Sequence, residues 1–118
     1  MKGIDIRAWN EEKMYEPIIY YGCAYRDWRD LEDGICYGDP VMIYTGFKDC
    51  NGAKIYEGDI VTIEWSRYSY GEIVYFNGKY EIRFGNSTWF LDSCIIFKHN
   101  IEVVSNIYEN PELLKEMK

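Results

Sequence analysis

The dipeptide Asn77-Gly78 constrains this chain more than any other feature, because it stands between two stretches of alternating residues, 71–76 and 79–84. Asn-Gly is the preferred pair for a two-residue type I′ turn, in which both residues take positive φ, and such a turn leaves the flanking strands no freedom of register. Gly71 then faces Phe84, Ile73 faces Ile82 and Tyr75 faces Tyr80 on one side; Glu72 faces Arg83, Val74 faces Glu81 and Phe76 faces Lys79 on the other. The first side is apolar or aromatic throughout and the second carries an opposite-charge pair, so the hairpin predicts a sheet with its first face buried and its second wet. A slip of one residue would bury Glu72, Glu81 and Arg83.

Other segments repeat the strand pattern. Ile4, Ile6 and Ala8 alternate with Asp5, Arg7 and Trp9, Ile18-Ile19-Tyr20-Tyr21 ends at Gly22, and Val41-Met42-Ile43-Tyr44-Thr45 leads to a turn at Asn51-Gly52, both residues of which are expected at positive φ. Residues 59–65 place Val61, Ile63 and Trp65 on one face. Residues 88–97 and 101–107 read as two further strands, separated by the polar Lys98-His99-Asn100, whereas residues 22–40 show no period and read as mostly loop. Asn110 as N-cap, Pro111 at the first helical position and Glu112 beside the positive end predict a short helix over 111–117. That helix is too short to stand alone, so Leu113, Leu114 and Met117 must dock on the sheet. The fold class is therefore mainly β: a strongly bent sheet or small barrel over 41–104, closed by the N-terminal strand and capped by a short C-terminal α-helix. At 118 residues the chain is expected to form a single domain, 1–118, with a loop-rich insert at about 22–40.

Function classes fall away one by one. No apolar run approaches the roughly 18 residues of a membrane span, and the first residues lack a secretion signal, so a cytoplasmic protein is expected. The four cysteines, Cys23, Cys36, Cys50 and Cys94, have no CxxC spacing and one histidine, His99, to join them. They are expected to be reduced and to hold no metal, with Cys94 a small core residue and His99 a turn residue. A catalytic dyad or triad needs a base, and His99 has no nucleophile motif beside it; no phosphate-cradling glycine motif occurs either, so neither enzymatic activity nor a cofactor is expected. Glu57 and Asp59 flank Gly58 closely enough to share a metal or a proton, but Asp59 at the start of a strand reads better as a turn residue bonding nearby backbone. The net charge of −7 opposes nucleic-acid binding, although it is uneven: residues 1–40 carry 5 basic and 9 acidic groups, −4, whereas residues 41–100 carry 6 and 7, −1.

Two stretches carry a family likeness. Tyr44-Thr45-Gly46-Phe47-Lys48-Asp49-Cys50-Asn51-Gly52-Ala53-Lys54-Ile55-Tyr56-Glu57-Gly58-Asp59-Ile60-Val61, echoed near the C-terminus by Asn106-Ile107-Tyr108-Glu109-Asn110-Pro111-Glu112-Leu113-Leu114, together with Arg7-Ala8-Trp9 and Met14, resemble the YopX family of small phage and prophage proteins. The resemblance spans nearly the whole chain and is weakest over 15–40. Asn10, Phe47, Cys50 and Ser105 depart from the usual pattern. The family has no established activity or functional residues, so the resemblance implies only a mainly β architecture, a small bent-sheet or SH3-like barrel, and a phage or prophage origin.

Aromatic residues make up 18% of the chain, more than one core can hide. Trp9, Tyr75, Tyr80 and Phe84 fall on predicted inner faces, while Tyr25, Trp28, Tyr37, Tyr68 and Tyr70 lie in predicted loops, where they either cover the barrel ends or form an interaction surface. In 20–37, Tyr20, Tyr21, Tyr25, Trp28 and Tyr37 alternate with Asp27, Asp30, Glu32 and Asp33. The expected function is a non-enzymatic protein-binding module of a phage or prophage, its contact residues Tyr20, Tyr21, Tyr25, Asp27, Trp28, Asp30 and Tyr37. The partner is expected to be a basic protein surface or a second copy. The alternative is a single-stranded nucleic-acid binder that stacks bases on its aromatics, its electropositive groove supplied by the near-neutral middle segment with Lys48, Lys54, Lys79 and Arg83.

Overall fold

The computed structural model of the chain describes residues 5–64, 70–85, 87–96 and 98–115, which are mainly β, with a curled half-barrel sheet and short helices. Two compact units divide it, Met1–Tyr44 and Thr45–Lys118. In the first, β1 (Ile6–Trp9) pairs antiparallel with β2 (Met14–Tyr15), and β3 (Ile18–Tyr20) forms a hairpin with β4 (Cys23–Tyr25). Helix α1 (Trp28–Asp33) follows, and then β5 (Val41–Lys48), whose Met42 lies opposite Arg7 of β1 before the strand runs on into the second unit. There β5 meets β6 (Lys54–Tyr56), with the Thr45 hydroxyl donating to the Ile55 carbonyl at 2.8 Å.

The second unit is built on a five-stranded antiparallel sheet of β7 (Asp59–Ile63), β8 (Gly71–Phe76), β9 (Lys79–Phe84), β10 (Ser87–Phe90) and β11 (Ile101–Asn106), in the order β10-β9-β8-β7-β11. The β8–β9 hairpin has the register its turn dictates: Glu72 faces Arg83, Ile73 faces Ile82, Val74 faces Glu81, Tyr75 faces Tyr80 and Phe76 faces Lys79. Asn77 and Gly78 sit at φ 53° and 85°, the left-handed values that a type I′ turn demands. Gly71, Ile73, Ile82 and Phe84 enter the core with Ile55, Val61, Ile63, Leu91, Cys94 and Ile101. Toward the hairpin tip the same face leaves the core, so Tyr80 is half-buried and Tyr75 is exposed, contrary to its predicted place inside.

Several segments differ from their sequence reading. Residues 91–96 form helix α2 (Leu91–Ile96) rather than the end of a strand. Leu91 and Cys94, three apart, are its buried residues, and the polar pair Asp92-Ser93 between them breaks a period of two while fitting a helical turn. Residues 22–40 hold β4 and α1 instead of being mostly loop. Asp27 caps α1 by accepting the Asp30 N–H at 2.9 Å, and Gly34 closes it in the left-handed region. The cysteines are not all reduced: Cys23 and Cys36 form a disulfide, their Cα atoms 6.3 Å apart and thus within bridging range. A bridge between a hairpin arm and the segment after a helix needs no short sequence spacing, which is why spacing rules missed it. Cys50 and Cys94 are free, and Cys94 is a buried core residue. The C-terminal helix, α3, spans Glu112–Lys115, with Leu113 and Leu114 half-buried; Trp65, Tyr68, Phe97 and Met117 lie outside the described residues.

The stretches that carry the family likeness work on backbone. The buried Asp49 carboxylate accepts the N–H groups of Asn51 (2.9 Å) and Ala53 (2.8 Å) through Oδ1 and that of Val103 (3.0 Å) through Oδ2. It therefore shapes the turn at 49–53, where Gly52 alone has positive φ, and ties that turn to the edge strand β11. Asp59, 1% exposed, accepts the Tyr56 N–H at 2.8 Å, the structural role expected of it. Buried Asn106 accepts the N–H groups of Tyr108 and Glu109. Replacing Asp49 by Ala strands three amide donors, and a loss of about 3 kcal/mol in chemical denaturation is expected. Gly71→Ala is expected to cost about 2 kcal/mol, since its Cβ would lie 2.6 Å from the Ile82 side chain and 2.8 Å from the Phe84 ring.

Candidate functional site

The predicted contact residues lie on the β3–β4 hairpin, on α1 and on the segment that follows. Tyr20 and Cys23 close the hairpin, leaving Tyr21 and Gly22 as its two-residue turn at φ 49° and 77°. A bulky aromatic residue at positive φ is costly, because its Cβ crowds the carbonyl that follows. Tyr21 is also 91% exposed, so no burial offsets that cost; its ring stands near-perpendicular to that of Tyr20, at 4.5 Å between centroids and 86° between planes. Trp28, the first residue of α1, is 68% exposed, and Tyr20 and Tyr37 are about half exposed.

The remaining predicted residues have structural duties. Tyr25 is half-buried in β4, Asp27 is the helix cap, and Asp30 is half-buried with its carbonyl accepting the Ile35 N–H at 2.9 Å. Sequence reasoning missed the exposed Ile19 and Ile35, and with them a polar cluster. Arg26 binds Asp39 through two hydrogen bonds, Nε to Oδ2 at 2.8 Å and Nη2 to Oδ1 at 2.9 Å, while the Tyr15 hydroxyl donates to Asp39 Oδ2 at 2.6 Å. The guanidinium also lies 3.8 Å from the centre of the Tyr37 ring. No pattern in the sequence marks this cluster, since its members stand at 15, 26, 37 and 39.

Its electrostatics follow from that geometry. The Arg26 hydrogen bonds hold the Asp39 carboxyl below its ordinary range, against burial that raises it, and the Tyr15 hydroxyl adds to the lowering. Asp39 in turn raises Arg26. Burial first, then the Asp39 contact, pushes Tyr15 up to about 12.

In the second unit the outer face of β8–β10 carries exposed Phe76 and Phe90 beside Arg83 and Lys79, whose charges lie 5.3 and 4.8 Å from the respective ring centres. Arg83 is also held by Glu81 at 3.1 Å. Lys48 and Lys54 are exposed on β5 and β6. Among the described residues no three of His, Cys, Asp and Glu converge as metal ligands would, and His99 Nδ1 lies 3.1 Å from Glu64 Oε1.

The family model described as YopX protein matches residues 5–115, which takes in both units and both motif stretches. The chain belongs to the YopX family. Its fold is similar to the crystal structure of protein EF1440 from Enterococcus faecalis, with a TM-score of 0.70 and 27% identity over 94% of this chain and 97% of that one. It is also similar to protein yopX from Bacillus subtilis, with a TM-score of 0.60 and 19% identity over 93% and 97% of the two chains. No curated protein sequence matches. No helix among the described residues of this YopX chain is long and apolar enough to cross a membrane.

The Asp39 cluster makes a pH prediction. A carboxyl lowered in the folded state contributes stability that is complete above its unfolded value of about 3.9 and is lost as pH falls through the folded one. Tyr15, raised, contributes stability that is complete below about 10 and is lost as pH rises toward about 12. Asp39→Asn is therefore expected to shrink the stability lost between about pH 5 and about pH 2, read by urea denaturation. It should also bring the phenol absorbance step near pH 12 back toward that of ordinary tyrosines.

Proposed function

We propose that this YopX chain is a non-enzymatic accessory protein of a phage or prophage, acting in the cytoplasm of the bacterial host by binding another protein through the exposed aromatic surface of residues 18–37. Tyr21 carries the reading. A tyrosine that is 91% exposed at a left-handed turn position lowers stability relative to the Asn or Gly such a turn prefers, so its use there lies outside folding. Tyr and Trp anchor interfaces because they bring large contact area at little rotamer cost.

Charge favours a basic partner. Residues 18–40 hold acidic Asp27, Asp30, Glu32, Asp33 and Asp39 against Arg26 and Arg29, a balance of −3. Such a surface steers a basic patch toward the aromatic anchors. It also repels a second copy, which carries the same −7 overall, so a foreign partner is favoured over self-association. The single-stranded nucleic-acid reading has its own support in Phe76, Phe90, Lys79 and Arg83 on one sheet face, but Glu81 already engages Arg83 and Glu72 shares that face. It ranks second.

Affinity capture from phage-infected cells, repeated with variants, tests the first reading. Trp28→Ala is expected to weaken partner binding by about tenfold or more. Tyr21→Asn is expected to raise stability by about 1 kcal/mol while weakening the same binding. If Tyr21→Asn and Trp28→Ala together left every recovered partner bound as before, the surface would be wrongly assigned. Light scattering on the purified protein reads self-association separately.

A further inference from the structure

The loop from Arg26 to Asp39 is closed twice. The two hydrogen bonds between those residues close its base, and the Cys23–Cys36 disulfide ties its returning segment, after α1, to the β3–β4 hairpin. Between the ties lies α1, six residues long with no buried side chain. A helix of that length does not persist by its own hydrogen bonds, and with no apolar face in the core it depends on its caps and on the covalent tie. Cys36 is exposed and Cys23 half-buried, so Cys36 is the side of the bond that solvent approaches more readily.

We propose that the Cys23–Cys36 disulfide is a reductant-releasable clasp that holds α1 and residues 35–37 on the hairpin, and so orders the aromatic surface when oxidised and loosens it when reduced. The consequence for binding rests on the partner-binding reading above; the clasp itself does not. A thiolate of a dithiol reductant attacks Cys36 Sγ, forming a mixed disulfide and releasing Cys23 as a thiolate that takes up a proton. The second thiol of the reductant then attacks its own sulfur in that mixed disulfide, releasing Cys36 as a thiol. Two electrons pass from the dithiol, which ends as a disulfide, to the protein cystine. In a reducing cytoplasm such a bond is transient rather than permanent, which is the setting in which a clasp of this kind changes state. The Arg26–Asp39 pair takes no part in the exchange, so the release is confined to the residues between them.

Hydrogen exchange read by mass spectrometry on the full chain, before and after dithiothreitol, tests the clasp without any partner, once peptide mapping has established the Cys23–Cys36 link in the oxidised sample. The amides of α1 and residues 34–37 are expected to exchange about a hundredfold faster after reduction, while those of β7, β8 and β9 stay protected. Cys36→Ser without reductant is expected to match the reduced wild type, with protection of β7–β9 showing that it has folded. Equal protection of α1 in both states would overturn the proposal, as would absence of the Cys23–Cys36 link after air oxidation or a loss of protection that spreads through β7–β9. Loosening of α1 with no change in partner capture supports the clasp and counts against the partner-binding reading, so the two fail separately.

Discussion

The Asp49 carboxylate is the contact on which the larger sheet depends. An edge strand leaves a row of amides and carbonyls without a neighbour, and β11 occupies that position beside β7. Asp49 answers one of those amides, that of Val103, and the Cys50 N–H meets the Ile101 carbonyl at 2.9 Å, so a turn takes the place of a sixth strand. The pairing of β11 with β7 shifts between Val103 and Ser105, a bulge that bends the strand just past the carboxylate. A neutral side chain of similar size would accept fewer or weaker bonds from three amides, because charge-assisted hydrogen bonds are the stronger kind. The most recognisable stretch of the chain is thus explained by backbone geometry, and its acidic residues need no catalytic account.

The two units meet the problem of stability differently. In the second, ten apolar residues among those described are buried, most of them Ile, Val, Leu or Phe, and all of them but Ile60 form one cluster. In the first, the buried apolar residues among those described are Ala8, Ala24 and Met42. A core that small supplies little driving force, and chains in that position turn to covalent or polar ties. The Cys23–Cys36 bridge and the Tyr15–Asp39–Arg26 cluster are those ties. Because they hold the backbone without hiding side chains, Tyr20, Tyr21, Trp28 and Tyr37 stay in solvent, where a core-based solution would have drawn them in.

Legibility in the sequence follows the range of the interaction. The β8–β9 register was readable because a two-residue turn and the alternation around it are local facts. Helix α1 was equally local, since Asp27 and Gly34 are its cap signals, but two aromatic strand formers nearby and the lack of a buried face obscured it. Helix α2 was misread because Ile95 and Ile96 favour strands, whereas burial of Leu91 and Cys94 against the sheet decided for a helix. The disulfide and the contacts of the Asp39 cluster join residues 11 or more positions apart, and no composition or period encodes such contacts. Of the aromatics named from sequence as contact residues, Tyr20, Tyr21, Trp28 and Tyr37 are exposed, while Tyr25, next to the buried Ala24 in β4, is half-buried.

A surface built this way has a mechanical consequence. Affinity is lost when a partner must first order the segment it binds, and the cost grows with the number of side chains immobilised. Here the hairpin turn, the helix caps and the Arg26–Asp39 pair fix most of the backbone before any partner arrives, so the aromatic anchors enter an encounter already placed. What they lack is burial, which in the proposed function a partner would supply. The strain at Tyr21 fits the same logic: a residue that disfavours its own turn stands where its side chain is 91% exposed, open to contact from outside the fold.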